Sequence, residues 1–120
     1  MAGTVVTTEE TFGTVKKVSF AWTSSSGGAA DATTTNVFSG AIMRLVTVPD
    51  GTDAPTDNYD VVVDDADGND VLMGAGADRD TANTEQVLAS SLGIVANDKL
   101  TLAVTNAGNA KKGTVILYIR

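Results

Sequence analysis

The chain has 120 residues with neither cysteine nor histidine, and eight lysines and arginines against fifteen acids give a net charge of −7. One domain of this size buries a core without staples. The missing residue types exclude disulfides, thiolate metal sites, a cysteine nucleophile and imidazole acid–base chemistry. The cations are scattered, with Lys16-Lys17 and Lys111-Lys112 the only adjacent pairs, so a phosphate-binding face is not expected and nucleic acid is not a partner.

MAGTVVTTEE has no basic region followed by an apolar run, so no secretory signal is expected and synthesis in a cytoplasm is. No stretch approaches the roughly 18 apolar residues of a membrane span. The first β-branched segment is Thr4 to Thr8. In TVKKVSFAWT, Val18, Phe20 and Trp22 alternate with Lys17, Ser19 and Ala21, which predicts a half-buried strand. SSSGGAADATTT, residues 24–35, is polar and glycine-rich and reads as an exposed loop. AIMRLVTVP, residues 41–49, is apolar on both faces except at Arg44, so its second face is expected to meet a loop or a neighbouring subunit.

PDGTDAPTDN is a long turn, and Tyr59, Val61 and Val63 then alternate with Asp60, Val62 and Asp64. DVLMG reads as a short return strand. TANTEQVLASSLG is the one helical candidate, with Asn83 as cap, Gln86 three residues on and Gly93 as stop. KLTLAVT alternates Leu100, Leu102 and Val104 against Thr101, Ala103 and Thr105. TVILYIR is apolar on both faces, as a central or interfacial strand would be. Seven or eight short strands without a long helix predict an all-β, antiparallel β-sandwich, jelly-roll or immunoglobulin-like, of open strand order.

DADGNDVLMGAGADRD, residues 65–80, has the composition of a calcium loop. An EF-hand register with Gly68 sixth puts Val63 first and Gly74 twelfth, where a ligand and a glutamate are required. The calcium nonapeptide of parallel β-helices fits Gly68, Asp70 and Leu72, then slips by one at Asp78. Asp67-Gly68 between apolar runs is instead a hairpin signal. The expectation is a turn, with no metal, and Asp65, Asp67, Asp70 and Asp78 are the carboxylates that would bind calcium or magnesium if it is wrong.

Other chemistry has less support. Ser24 to Ser26 and Ser90-Ser91 have no histidine and no S-x-x-K spacing, and GAGADR lacks the lysine of a phosphate loop. Sugar binding favours exposed aromatics. Phe20, Trp22 and Tyr59 fall on core faces, leaving Phe12 and then Phe38 as candidates.

The stretch APTDNYDVVVDDADGNDVLMGAGADRDTANTEQ, followed by VANDKLTLAVTNAGNAKKGTVILYIR, resembles the capsid decoration (cement) proteins of tailed bacteriophages and related small virion proteins. The resemblance implies a sandwich or jelly roll that assembles as a homodimer or homotrimer on the outer capsid, touching the major capsid protein. It brings no catalytic or cofactor residues. With it, residues 1–12 are expected to form an amino-terminal arm that reaches a neighbouring protein and 13–120 the sandwich domain. The expected function is a non-enzymatic virion protein, made in the host bacterial cytoplasm, that stabilises a capsid surface. The alternative is a carbohydrate- or host-surface-binding module of a tail or fibre.

Overall fold

A computed structural model describes residues 3–120. Among them are nine strands: β1 (Thr4–Phe12), β2 (Val15–Thr23), β3 (Ala30–Thr33), β4 (Phe38–Pro49), β5 (Asp60–Asp64), β6 (Glu85–Leu88), β7 (Ile94–Asp98), β8 (Thr101–Thr105) and β9 (Lys112–Ile119). All pairings are antiparallel. The fold is an all-β sandwich. One sheet runs β1-β2-β9-β4-β6, with β7 beside β6 on the same edge of β4, and the other runs β3-β8-β5.

Alternation in the strands builds the core between the sheets. Val18, Phe20 and Trp22 of β2, Val115, Leu117 and Ile119 of β9, and Leu45 of β4 face Val61 and Val63 of β5 and Leu102 and Val104 of β8, all buried. Each such side chain contributes about 1.5–3 kcal/mol when taken from water. Trp22 meets Tyr59 across the core, ring centroids 5.6 Å apart and tilted 49°. The indole also lies on Gly113, where an added Cβ would come within 2.6 Å of Trp22 Cζ2, so glycine at 113 is what lets a tryptophan occupy this end of the sheet. β9 is central, between β2 and β4, as its two apolar faces imply.

Three local expectations are corrected. Residues 83–93 form no α-helix: Glu85–Leu88 are strand β6, followed by a 3-10 turn at Ala89–Ser91. Asp80 explains part of this, since its Oδ2 accepts hydrogen bonds from Ala82 N (3.0 Å) and Asn83 N (2.6 Å) and holds Asn83 in a turn. The open edge of β4 supplies the rest, because Arg44 to Thr47 pair with Leu88 to Glu85. Two turns of isolated helix are marginal, and sheet pairing overrides the propensity.

The loop at 24–35 is also not loose. Ala30–Thr33 form β3 on β8, and Ser24 is buried, its Oγ donating to Gly108 O (2.6 Å) and accepting from Lys111 N (2.8 Å). Thr34 is fixed likewise, its N donating to Leu100 O (2.8 Å) and its Oγ1 accepting from Leu100 N (3.0 Å). Polar composition hid these because hydroxyls here replace water as partners of buried backbone. DVLMG, finally, returns as a single bridge, Asp64 to Asp70, and then winds into turns.

Residues 1–12, set apart above as an arm, are from Thr4 onward the edge strand β1, paired along its length with β2. Glu9 pins that strand further, its carboxylate accepting from Thr35 N and Asn36 N at 2.9 Å each. Met1 and Ala2, the start of the arm, lie outside the described residues.

Candidate functional site

The aspartate-rich segment turns its carboxylates on its own backbone. Asp65 Oδ1 accepts from Asp67 N and Asn69 N at 3.0 Å each, closing the hairpin tip with Gly68 at φ +83°. Asp70 Oδ1 accepts from Leu72 N (2.9 Å) and, at 3.4 Å, from Val63 N, while Oδ2 accepts from Gly74 N (2.9 Å). Those bonds draw the chain out of extended form, and Met73, Gly74 and Asp78 take positive φ. Val71 and Leu72 go into the core. An aspartate that bonds the amides two and four residues on is a turn former, and here it anchors a loop.

Of the four candidate ligands, the fold brings Asp65 and Asp67 together and leaves Asp70 and Asp78 out. The third carboxylate near them is Asp98 of β7, with one oxygen of each acid within 4.8 Å of the others. Sequence reasoning missed Asp98, since no local spacing links it to a loop some thirty residues earlier. Asp65 is already committed to two amides, so the trio is a solvent-facing acidic cluster at a hairpin tip.

The other singled-out residues divide cleanly. Phe20, Trp22 and Tyr59 are core, and so is Phe38, which is buried. Phe38 is therefore corrected as an exposed sugar contact: it begins β4 and points inward. Phe12 is 59% exposed. Ser24 is structural, and Ser90 and Ser91 sit in the 3-10 turn.

The remaining candidate is a surface. The three-stranded sheet covers one face of the larger sheet, and the register sets out what stands on the other. In one row across five strands stand Glu10, Lys17, Tyr118, Arg44 and Leu88. The next row is Thr8, Ser19, Ile116, Val46 and Gln86, and beyond it Val6, Ala21, Thr114 and Val48. Past the first row, Phe12 pairs with Val15, and a register shift between Ile42 and Arg44 pushes out Met43. Of the seven exposed large hydrophobic side chains among the described residues, Val6, Phe12, Met43 and Leu88 stand here. The face mixes apolar with polar and charged side chains and is exposed or half-buried except at Val46; clustered exposed apolar groups are a feature of interaction sites.

Its charges are unusual for an acidic chain. Arg44 Cζ lies 4.2 Å from the Tyr118 ring centroid and Lys17 Nζ 5.9 Å from it, so two cations from neighbouring strands flank one ring. Among the described residues the ion pairs are Arg79–Glu85 and Lys112–Asp53; neither Lys17 nor Arg44 has an acid partner. Arg120 joins them at the rim of a hollow shared with Val15, Met43, Arg44 and Tyr118. Glu10 is the single acid in these rows.

Ionisation elsewhere is tuned by the backbone. Amides of Asp53 and Thr52 hold the Asp50 carboxyl below its ordinary range, and those of Ala82 and Asn83 do the same for Asp80. Burial pushes the Tyr59 phenol up, eased by the neighbouring Thr47 hydroxyl. Yet neither hydroxyl has a hydrogen-bond partner of good geometry, and Trp22 Nε1 has none either.

No helix among the described residues is long and apolar enough to cross a membrane. No protein-family model matches the chain. No curated protein matches it either. Among solved structures it is similar to the crystal structure of FLHE at 10% identity, covering 88% of this chain and 97% of that one with a TM-score of 0.44. A low-affinity xylan-binding module from Roseburia intestinalis shares 13% identity over 100% of this chain and 96% of that one, TM-score 0.37. An infectious bursal disease virus structure shares 10% identity over 98% of this chain, which spans 32% of that one, TM-score 0.33. At these distances no residue role passes from any of the three to this chain.

Proposed function

We propose that the chain is a virion structural subunit of the decoration (cement) type, which assembles with copies of itself and binds the outer surface of a tailed-phage capsid. One observation supports the reading most: the outer face of the six-stranded sheet holds Val6, Phe12, Met43 and Leu88 exposed, with Ile116 and Tyr118 half-buried between them. Antiparallel sheets tolerate one wet face, but such faces normally read polar. A protein whose task is adhesion has a use for this one. The sequence resemblance over the last two-thirds of the chain points the same way. The major capsid protein is the proposed partner, and the virion the proposed location.

The test is co-sedimentation of purified protein with virions of the phage that encodes it, stripped of this protein. Saturable binding that raises the temperature at which the shell breaks is expected; no binding at any concentration contradicts the proposal. A second reading, sugar binding, rests on Phe12, the aromatic most exposed on this face. Glycan-array binding abolished by Phe12→Ala would favour it.

A further inference from the structure

We infer that the bare sheet face is covered by the same face of a second copy, giving a two-fold dimer in which Glu10 of each chain meets Arg44 of the other. This deepens the proposed function, resting on its premise that the face is covered by protein, and it names the protein. The row that carries it reads, strand by strand, acid, cation, ring, cation: Glu10 on β1, Lys17 on β2, Tyr118 on β9 and Arg44 on β4. Reversed and laid on itself, that order is self-complementary. A two-fold axis between the facing sheets, parallel to the strands and passing between β2 and β9, sets β1 over β4 and β2 over β9. Glu10 then stands over the partner's Arg44, and Lys17 over the partner's Tyr118.

Because such an axis preserves height along the strands, the neighbouring rows are matched by the same operation. Phe12, at the β1 end of its row, comes over the partner's Met43, an aromatic–thioether contact between two of the most exposed apolar side chains on the face. Val6 comes over the partner's Val48, and Ser19 over the partner's Ile116. No like charges are directly opposed. An axis one half-strand away, along β9, would set Lys17 over the partner's Arg44, so the charges select one stacking from several.

Contact through this face is set by the order of individual charges rather than by net charge. Fifteen acids make the chain −7, and copies approaching by most surfaces would repel. Here one acid stands against Lys17, Arg44 and the rim cation Arg120. Facing sheets cross at roughly 30°, which moves pairs one and a half strands from the axis by about 4 Å, within reach of arginine and glutamate side chains. Three to four rows about 7 Å apart, across four strands about 4.8 Å apart, make a patch of roughly 20 by 20 Å. That is about 400 Å² per copy, below the range of stable specific dimers and in that of weak, transient ones, so a weak and reversible dimer is expected.

Charge-swap sedimentation tests the inference on the full chain. Equilibrium sedimentation from about 1 μM to about 1 mM should show monomer passing to dimer and no higher species. Glu10→Arg and Arg44→Glu, each keeping the wild-type circular dichroism spectrum, should weaken the dimer at least about tenfold, and the double swap should recover most of the loss. Phe12→Gln, which changes no charge, should weaken it too. A monomer throughout, a trimer, single swaps without effect, or a double swap no better than the singles overturns the dimer. Virion co-sedimentation separates the two ideas. A monomer that binds virions through Arg44 leaves the capsid-binding part of the proposed function standing without self-assembly, and a dimer that ignores virions does the reverse.

Discussion

The two faces of the six-stranded sheet are built by the same strands from alternate residues, and they have opposite fates. On β2, Phe20 and Trp22 are sealed against the second sheet while Ser19 and Ala21 stand outside; on β9, Leu117 is buried and Tyr118 is not. The inner face is large, apolar and closed by glycine and tyrosine fitted to one tryptophan. The outer face mixes small, apolar and cationic groups in a flat layer. Hydrophobic residues alone do not separate a core from an interface. The difference is that the inner set has complementary shapes supplied by its own chain, whereas the outer set leaves Lys17 and Arg44 against the Tyr118 ring with no acid paired to either among the described residues.

Substitutions paired across the sheet give the largest expected contrast. Trp22→Ala should cost about 3–5 kcal/mol in denaturant unfolding through the cavity it leaves. Tyr118→Ala, on the outer face and toward the other end of the β2–β9 pair, should cost about 1 kcal/mol or less in the monomer while weakening assembly. Equal stability losses would mean that the outer face is part of the folding core. Next in size is Gly113→Ala, which sets a methyl against the indole and should cost about 1–3 kcal/mol; an unchanged melting temperature would show that Trp22 can move aside.

Asp70→Ala should follow at about 1–3 kcal/mol, because three amides near the 70–74 turn lose a charged acceptor. If that carboxylate instead serves a cation, calorimetric titration of the wild type with calcium would show binding that Asp70→Ala abolishes.

How legible this was depends on whether partners are local. Alternation in 18–22, 59–63 and 100–104 gave the buried residues correctly, because a strand's own period assigns its faces. The doubled apolar character of 114–119 marked a strand central to its sheet, between β2 and β4. Which residues share a row was not readable, since Glu10, Lys17, Tyr118 and Arg44 come from four separated segments and meet only through register. Asp98 was missed for the same reason. The helix misreading at 83–93 shows the converse, a local capping pattern overruled by the unpaired edge of β4.

Smaller effects sharpen the comparison at the rim of the core. Asp80 has its folded pKa depressed by two turn amides, so its contribution is present above the unfolded-state value and is lost as pH falls through the folded one. The acid limb of the stability curve, below about pH 4, should flatten in Asp80→Asn; an unchanged limb would mean that these bonds are equally present in the unfolded chain. Smallest is Tyr59→Phe. The hydroxyl is buried without a partner of good geometry, so its removal should be neutral or slightly stabilising, and a clear loss of melting temperature would reveal a hydrogen bond worth about 1 kcal/mol or more.

Methionine oxidation reads the covered face most directly, since two exposed methionines act as probe and control. Met43 stands on the outer face at 44% exposure, and Met73 lies in the loop after β5 at 71%. Dilute protein treated with peroxide should oxidise both. Concentrated protein, and protein bound to virions, should protect Met43 while Met73 reacts at its dilute rate. Equal oxidation of Met43 under all three conditions would contradict the account, because the face would then be bare in every state the protein adopts.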